Sequence, residues 1–127
     1  MDLKTDVVVT DGYRILALRG EIDAATGPAL RTLCLELVDD STLPLLVDMT
    51  GVTFCDSTGL NIAAAVRRHA GAKDCVVAFY GFNQRVRKVF RVTGMDLFVP
   101  TYATLADAAD DLDGDPGGDP GGDRPAR

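Results

Sequence analysis

Short apolar runs alternate with stripes of helical period along the first 112 residues, and that alternation restricts the chain to an α/β sandwich. Crossovers this short imply a largely parallel sheet that follows an N-terminal hairpin. Residues 13–22, YRILALRGEI, predict a strand paired with Val7–Val9 across Asp11-Gly12. Pro28 suits a first helical turn, and Leu30, Leu33, Cys34, Leu37 and Val38 follow as one buried stripe that ends at Asp39-Asp40-Ser41. Leu45-Leu46-Val47, after Pro44, predicts a strand covered on both faces. Leu60 to Ala70 is helical and almost wholly apolar through Val66, so it should lie against the sheet.

Asp74 to Tyr80 reads as a further buried strand. Asn83 can cap a helix that turns Val86, Val89 and Phe90 inward and Arg85, Arg87, Lys88 and Arg91 outward, with Gly94 as its stop. Leu97-Phe98-Val99 predicts a short strand stopped by Pro100. Thr104 and Asp107 form a capping box with the shorter acid, opening a last helix on Leu105, Ala108, Ala109 and Leu112.

Residues 113–127, DGDPGGDPGGDRPAR, differ in kind: they hold five of the 13 Gly and three of the six Pro, and no large apolar side chain. Such a segment cannot offset its ordering entropy, so one domain at 1–112 and a disordered Gly/Asp/Pro-rich tail at 113–127 are expected. The tail should be dispensable for partner binding. The formal net charge is −6, without a Lys/Arg cluster of the kind a nucleic-acid face needs. No apolar run approaches the ~18 residues of a membrane span, and Asp2 and Asp6 stand where a signal peptide would carry positive charge. Cys34, Cys55 and Cys75 lie far apart with no CxxC pair, which fits reduced thiols in a cytoplasm. No His/Cys/carboxylate cluster has metal-ligand spacing, and no cofactor is called for.

Chemistry in such folds gathers where strands deliver the chain into helix starts. Two such places stand out, Asp56-Ser57-Thr58-Gly59 and Glu21-Ile22-Asp23. A nucleophile elbow would need glycine at position 55, which is Cys. Its base would have to be His69, twelve residues along the same helix and therefore ~18 Å away, outside hydrogen-bond reach. Serine hydrolysis by a Ser–His pair is excluded. The loop also lacks the lysine of GxxxxGK[ST] and the glycines of GxGxxG. Local sequence leaves open a purely structural reading, in which Ser57 or Thr58 caps the helix.

The string LLVDMTGVTFCDSTGLNIAAAV resembles the core of the STAS domain family (sulphate transporter and anti-sigma factor antagonist). Gly20-Glu21-Ile22-Asp23 resembles the family's G-E-[LI]-D turn, and VRKVFRVTGM followed by LFVPTYATLADA resembles its closing helix–strand–helix. The resemblance implies a STAS-like fold: a four- to five-stranded, mostly parallel mixed sheet flanked by four helices. It also implies a non-enzymatic regulator of partner switching, an anti-sigma factor antagonist. In that role Ser57 would be the phosphoacceptor for an anti-sigma factor serine kinase, with Asp23 and Asp56 lining the adjacent surface and Thr58 and Gly59 forming the helix start. A serine phosphatase would reset it. The partners implied are proteins, with no nucleic acid and no membrane span, and the chain itself a monomer or weak dimer. Two other readings stand beside it: a stand-alone STAS subunit of a membrane transport or lipid-trafficking complex, and a small-molecule or nucleotide-binding module that uses the loop as an anion site.

Four further features have structural readings. Asp48 is expected to act structurally at a strand end near the loop. The Arg85/Arg87/Lys88/Arg91 face reads as a solvated helix surface. Asp56 disfavours a thiolate at Cys55, so packing is its role. His69 is expected to interact with the last carbonyls of its helix.

Overall fold

The computed structural model describes residues 2–114. The elements run β1 (Leu3–Val9), β2 (Arg14–Ile22), α1 (Gly27–Asp40), β3 (Leu45–Cys55), α2 (Ser57–Ala72), β4 (Val77–Tyr80), α3 (Gln84–Val92), α4 (Met95–Phe98), β5 (Thr101–Tyr102) and α5 (Leu105–Gly114). They form one five-stranded mixed sheet in the order β1-β2-β3-β4-β5. β1 and β2 are antiparallel, and every later pairing is parallel. The expected STAS-like sheet is therefore present, with four longer helices and the one-turn α4. α5 extends to Gly114, two residues past the expected end of the folded part, and the rest of the tail, 115–127, lies outside the described residues.

The period of each apolar pattern decides which layer it builds. Leu16, Leu18 and Ile22 of β2 alternate inward and meet Leu30, Cys34 and Val38 of α1 and Ile62, Ala63 and Val66 of α2 in the main core. β3 is buried on both sides through Leu45-Leu46-Val47, as its continuous apolar run predicts. Leu46, Ala78, Tyr80 and Tyr102 point the other way and pack with Ala108 of α5. Phe82 and Phe90 stack with ring centroids 4.5 Å apart and close the main core at α3.

The caps hold α3 and α5 as their sequences predict. Asn83 Oδ1 accepts the Val86 N–H at 2.8 Å, while its Nδ2 donates to the Val52 carbonyl at 3.0 Å and ties α3 to β3. Thr104 Oγ1 accepts the Asp107 N–H at 3.1 Å.

Several elements differ from the sequence reading. β4 starts at Val77, not at Asp74: Asp74 turns the chain at φ +56°, and Val76 is exposed. β1 begins at Leu3, four residues before the predicted Val7. Its charged half shows no apolar alternation, yet on a sheet edge backbone pairing alone suffices. β3 continues past Val47 to Cys55, carrying the strand to the Asp56-Ser57-Thr58-Gly59 loop. The predicted strand at Leu97-Phe98-Val99 is instead the turn α4 and its exit, and β5 lies beyond Pro100. Gly94, at φ +79°, turns the chain straight from α3 into α4, and the Val99 N–H donates to Met95 O at 2.9 Å. Leu97 and Phe98 are consequently exposed.

Arg14, at the start of β2, is buried with 4% of its surface exposed. Its guanidinium donates to the carbonyl oxygens of Leu37, Ser41 (3.1 Å) and Leu43 (2.6 Å). A fixed cation therefore satisfies the carbonyls at and just beyond the C-terminal turn of α1, where the macrodipole favours positive charge.

Candidate functional site at the start of helix α2

The parallel register of β2 and β3 brings the two sequence-predicted turns together. Ile22 lies opposite Cys55, so Asp23 and Asp56 each leave the sheet at the same end, the C-terminal ends of two neighbouring strands spaced ~4.8 Å apart. The Asp56 N–H donates to the Ile22 carbonyl at 3.3 Å and extends that pairing one step beyond the strands.

Asp56 is the N-cap of α2: its backbone is extended, and its Oδ1 accepts the Thr58 N–H at 2.8 Å. Its carbonyl accepts the Gly59 N–H at 3.0 Å. Ser57 is thus the first residue of the helix, and its side chain is exposed and forms no hydrogen bond among the described residues. The cap that the purely structural reading gives to Ser57 or Thr58 belongs to Asp56, which leaves the Ser57 hydroxyl without a structural duty.

Asp23 is engaged differently. Its Oδ1 accepts the N–H groups of Ala25 (2.9 Å) and Thr26 (3.0 Å), while Thr26 Oγ1 donates to the Glu21 carbonyl at 2.7 Å. The Thr26 N–H holds the Asp23 carboxyl below its usual value; desolvation opposes this, and the Ala25 N–H adds to it. Asp23 is therefore a fixed negative charge that also shapes the turn leading into α1.

Close packing locks this geometry. A β-carbon on Gly59 would come within 2.2 Å of Cys55 Sγ and 3.2 Å of Ile22 Cγ2, so only glycine lets α2 start against the ends of β2 and β3. A β-carbon on Gly27 would meet the Thr58 methyl at 2.5 Å, so the start of α1 sits directly on the start of α2. Thr58 packs inward and Ser57 outward. Burial, then the neighbouring Asp56, pushes the Cys55 thiol up to about 12, in keeping with a packing role. Phe54, on β3 two residues before Asp56, leaves 41% of its surface exposed beside the loop. Sequence reasoning did not single it out, because Phe54 in Val52-Thr53-Phe54 reads equally well as core.

Two other candidates sit elsewhere. Asp48 does not reach the loop; its Oδ1 accepts the Thr50 N–H at 2.9 Å and hydroxyl at 2.7 Å, within β3. His69 does not bond its own helix end, since its Nε2 lies 2.8 Å from Asp39 Oδ1 of α1, with Lys73 Nζ 3.5 Å from the same oxygen. No group of three His, Cys, Asp or Glu side chains among the described residues could hold a metal ion, and no helix there is long and apolar enough to cross a membrane. Arg85, Arg87, Lys88 and Arg91 are exposed on α3, as predicted.

Fold and site together define a small α/β domain whose distinctive feature is one exposed hydroxyl at a helix start, flanked by two carboxylates. The chain belongs to the STAS domain family, whose sequence model matches residues 4–108. The crystal structure of an anti-sigma factor antagonist from Mycobacterium paratuberculosis superposes with a TM-score of 0.80 at 32% identity, covering 87% of this chain and 94% of that one. The anti-sigma-B factor antagonist of Staphylococcus aureus is 25% identical over 95 residues, 75% of this chain and 88% of its own. The phosphorylated form of SpoIIAA, a Bacillus cell fate determinant, shares the fold with a TM-score of 0.64 at 20% identity, over 86% of this chain and 99% of its own.

Proposed function

We propose that this chain is an anti-sigma factor antagonist of the bacterial cytoplasm, a regulator and not an enzyme. It binds an anti-sigma factor serine kinase and is released when that kinase phosphorylates Ser57; a serine phosphatase returns it to the binding form. The observation that carries this reading is the exposed Ser57 hydroxyl at the first position of α2, beside the Asp56 cap and the Asp23 turn. Similarity to proteins named as anti-sigma factor antagonists supports it, as does SpoIIAA, which shares the fold and exists in a phosphorylated form.

The local physics fits release without refolding. A phosphate on Ser57 adds a charge of about −1.5 to −2 at the positive end of the α2 macrodipole, where the free protein tolerates it. At a docked interface that charge is desolvated next to Asp56 and the Asp23 turn, and binding is lost. Asp23, Asp56, Thr58 and Gly59 act on this account as the partner-facing frame around Ser57. Phe54 supplies exposed apolar surface at its border.

Intact-mass analysis after incubation with ATP and an anti-sigma factor kinase from the same organism tests the reading. A gain of one phosphate, absent in Ser57→Ala, is expected. No gain, or an undiminished gain in Ser57→Ala, overturns it.

A further inference from the structure

β1 is an edge strand, and no described residue pairs with its outer side. Val7, Val8 and Val9 are 38%, 46% and 64% exposed along it. The register determines which backbone groups remain open. The Thr10 N–H donates to Tyr13 O at 2.8 Å and the Glu21 N–H to Asp2 O at 3.1 Å, so the even-numbered residues of β1 bond β2. Antiparallel ladders alternate bonded and non-bonded residues. Leu3, Thr5, Val7 and Val9 therefore aim their N–H and C=O groups at the open edge, as a template for another strand.

We infer that this edge pairs antiparallel with β1 of a second copy, about a two-fold axis at Thr5. Charge selects both occupant and register. A two-fold at Lys4 sets Lys4 against Lys4 and Asp2 against Asp6, and one at Asp6 sets Asp6 against itself. A two-fold at Val7 leaves Lys4 facing Thr10 and Asp6 facing Val8, with no charge matched. Centred on Thr5, Lys4 of each copy faces Asp6 of the other, and Leu3 faces Val7. Lys4 and Asp6 then occupy non-hydrogen-bonded pairs, where side chains approach most closely. Leu3 already packs on the main core, so its row continues an apolar face from one copy into the next. Lysine on a strand edge usually blocks such pairing; here Asp6, two residues on, turns the block into a self-complementary code. This pairing is independent of the role assigned to Ser57.

Sedimentation equilibrium on the full chain tests it, with far-UV circular dichroism to show that each variant is folded. The wild type should be a concentration-dependent dimer. Lys4→Asp places an acid opposite Asp6, and Asp6→Lys places a base opposite Lys4, so each alone should weaken the dimer about tenfold or more. An equimolar mixture of the two single variants sets acid against base at both positions and should restore dimers, as should the double variant Lys4→Asp/Asp6→Lys. A wild type that stays monomeric at millimolar concentration, single variants that dimerise like the wild type, or a mixture that stays monomeric each overturn the proposal.

Discussion

The Ile22 carbonyl accepts the Asp56 N–H at 3.3 Å, and this bond joins the turn that carries Asp23 to the loop that carries Ser57. Neither turn is then positioned by its own sequence alone. The parallel pairing of β2 with β3 sets two carboxylates and one hydroxyl at the C-terminal end of the sheet, and the α1 and α2 starts, in contact through Gly27 and Thr58, hold them there.

Gly59 tests how tightly that end of the sheet is built. An exposed helical glycine usually gains stability on replacement by alanine, but here the β-carbon would lie 2.2 Å from Cys55 Sγ. Gly59→Ala should therefore destabilise by about 1–3 kcal/mol. Cys55→Ala removes the sulfur, so the double variant should lose less than the two single losses added together. Urea denaturation of all four proteins measures the coupling. Additive losses would mean that the two residues do not clash.

Acid should weaken the fold through Asp23 and Asp39. Both carboxyls sit below the ordinary 3.8: Asp23 chiefly through the Thr26 N–H, and Asp39 chiefly through its hydrogen bond to His69. Between the lowered folded value and 3.8 the unfolded chain binds more protons than the folded one. Their stabilisation is thus complete above that range and is lost as pH falls through the folded values. Asp23→Asn keeps an oxygen to accept the Ala25 and Thr26 N–H groups but cannot titrate. Urea midpoints from about pH 2 to pH 6 should show a shallower acid limb for this variant than for the wild type. An unchanged limb would contradict the assignment.

Arg14→Ala should cost about 1–3 kcal/mol, because it strips the partly buried carbonyls of Leu37, Ser41 and Leu43 of their donor. Arg14→Lys should recover only part of that loss, since an ammonium cannot present the same fork to three acceptors. Thermal unfolding of both variants gives the comparison; equal melting temperatures for wild type and Arg14→Ala would refute it.

Much of this was legible in the sequence because local rules agreed with the tertiary outcome. The α1 and α2 stripes, the Asn83 and Thr104 caps and the D-S-T-G loop all carry signals within a few residues. What escaped depends on distant partners. Arg14 looks like any edge-of-strand arginine until α1 ends above it, and His69 looks like a C-terminal helix residue until Asp39 lies beside it. Leu97-Phe98-Val99 has strand composition, but the turn at Gly94 spends those residues on α4 before the sheet resumes. The family resemblance implies that Asp23 and Asp56 share one surface, but no local pattern encodes it, because it depends on the strand order and register that pair Ile22 with Cys55.

On the proposed function, one phosphate at Ser57 switches binding at the C-terminal ends of β2 and β3. The affinity of an anti-sigma factor kinase from the same organism for the unmodified, Ser57-phosphorylated and Ser57→Ala proteins, measured by titration calorimetry, tests it most directly. Placing like charges together at an interface costs several kcal/mol, so phosphorylation should weaken binding by about 100-fold or more, while Ser57→Ala should bind as the unmodified protein does. Equal affinity for the phosphorylated and unmodified forms would contradict it.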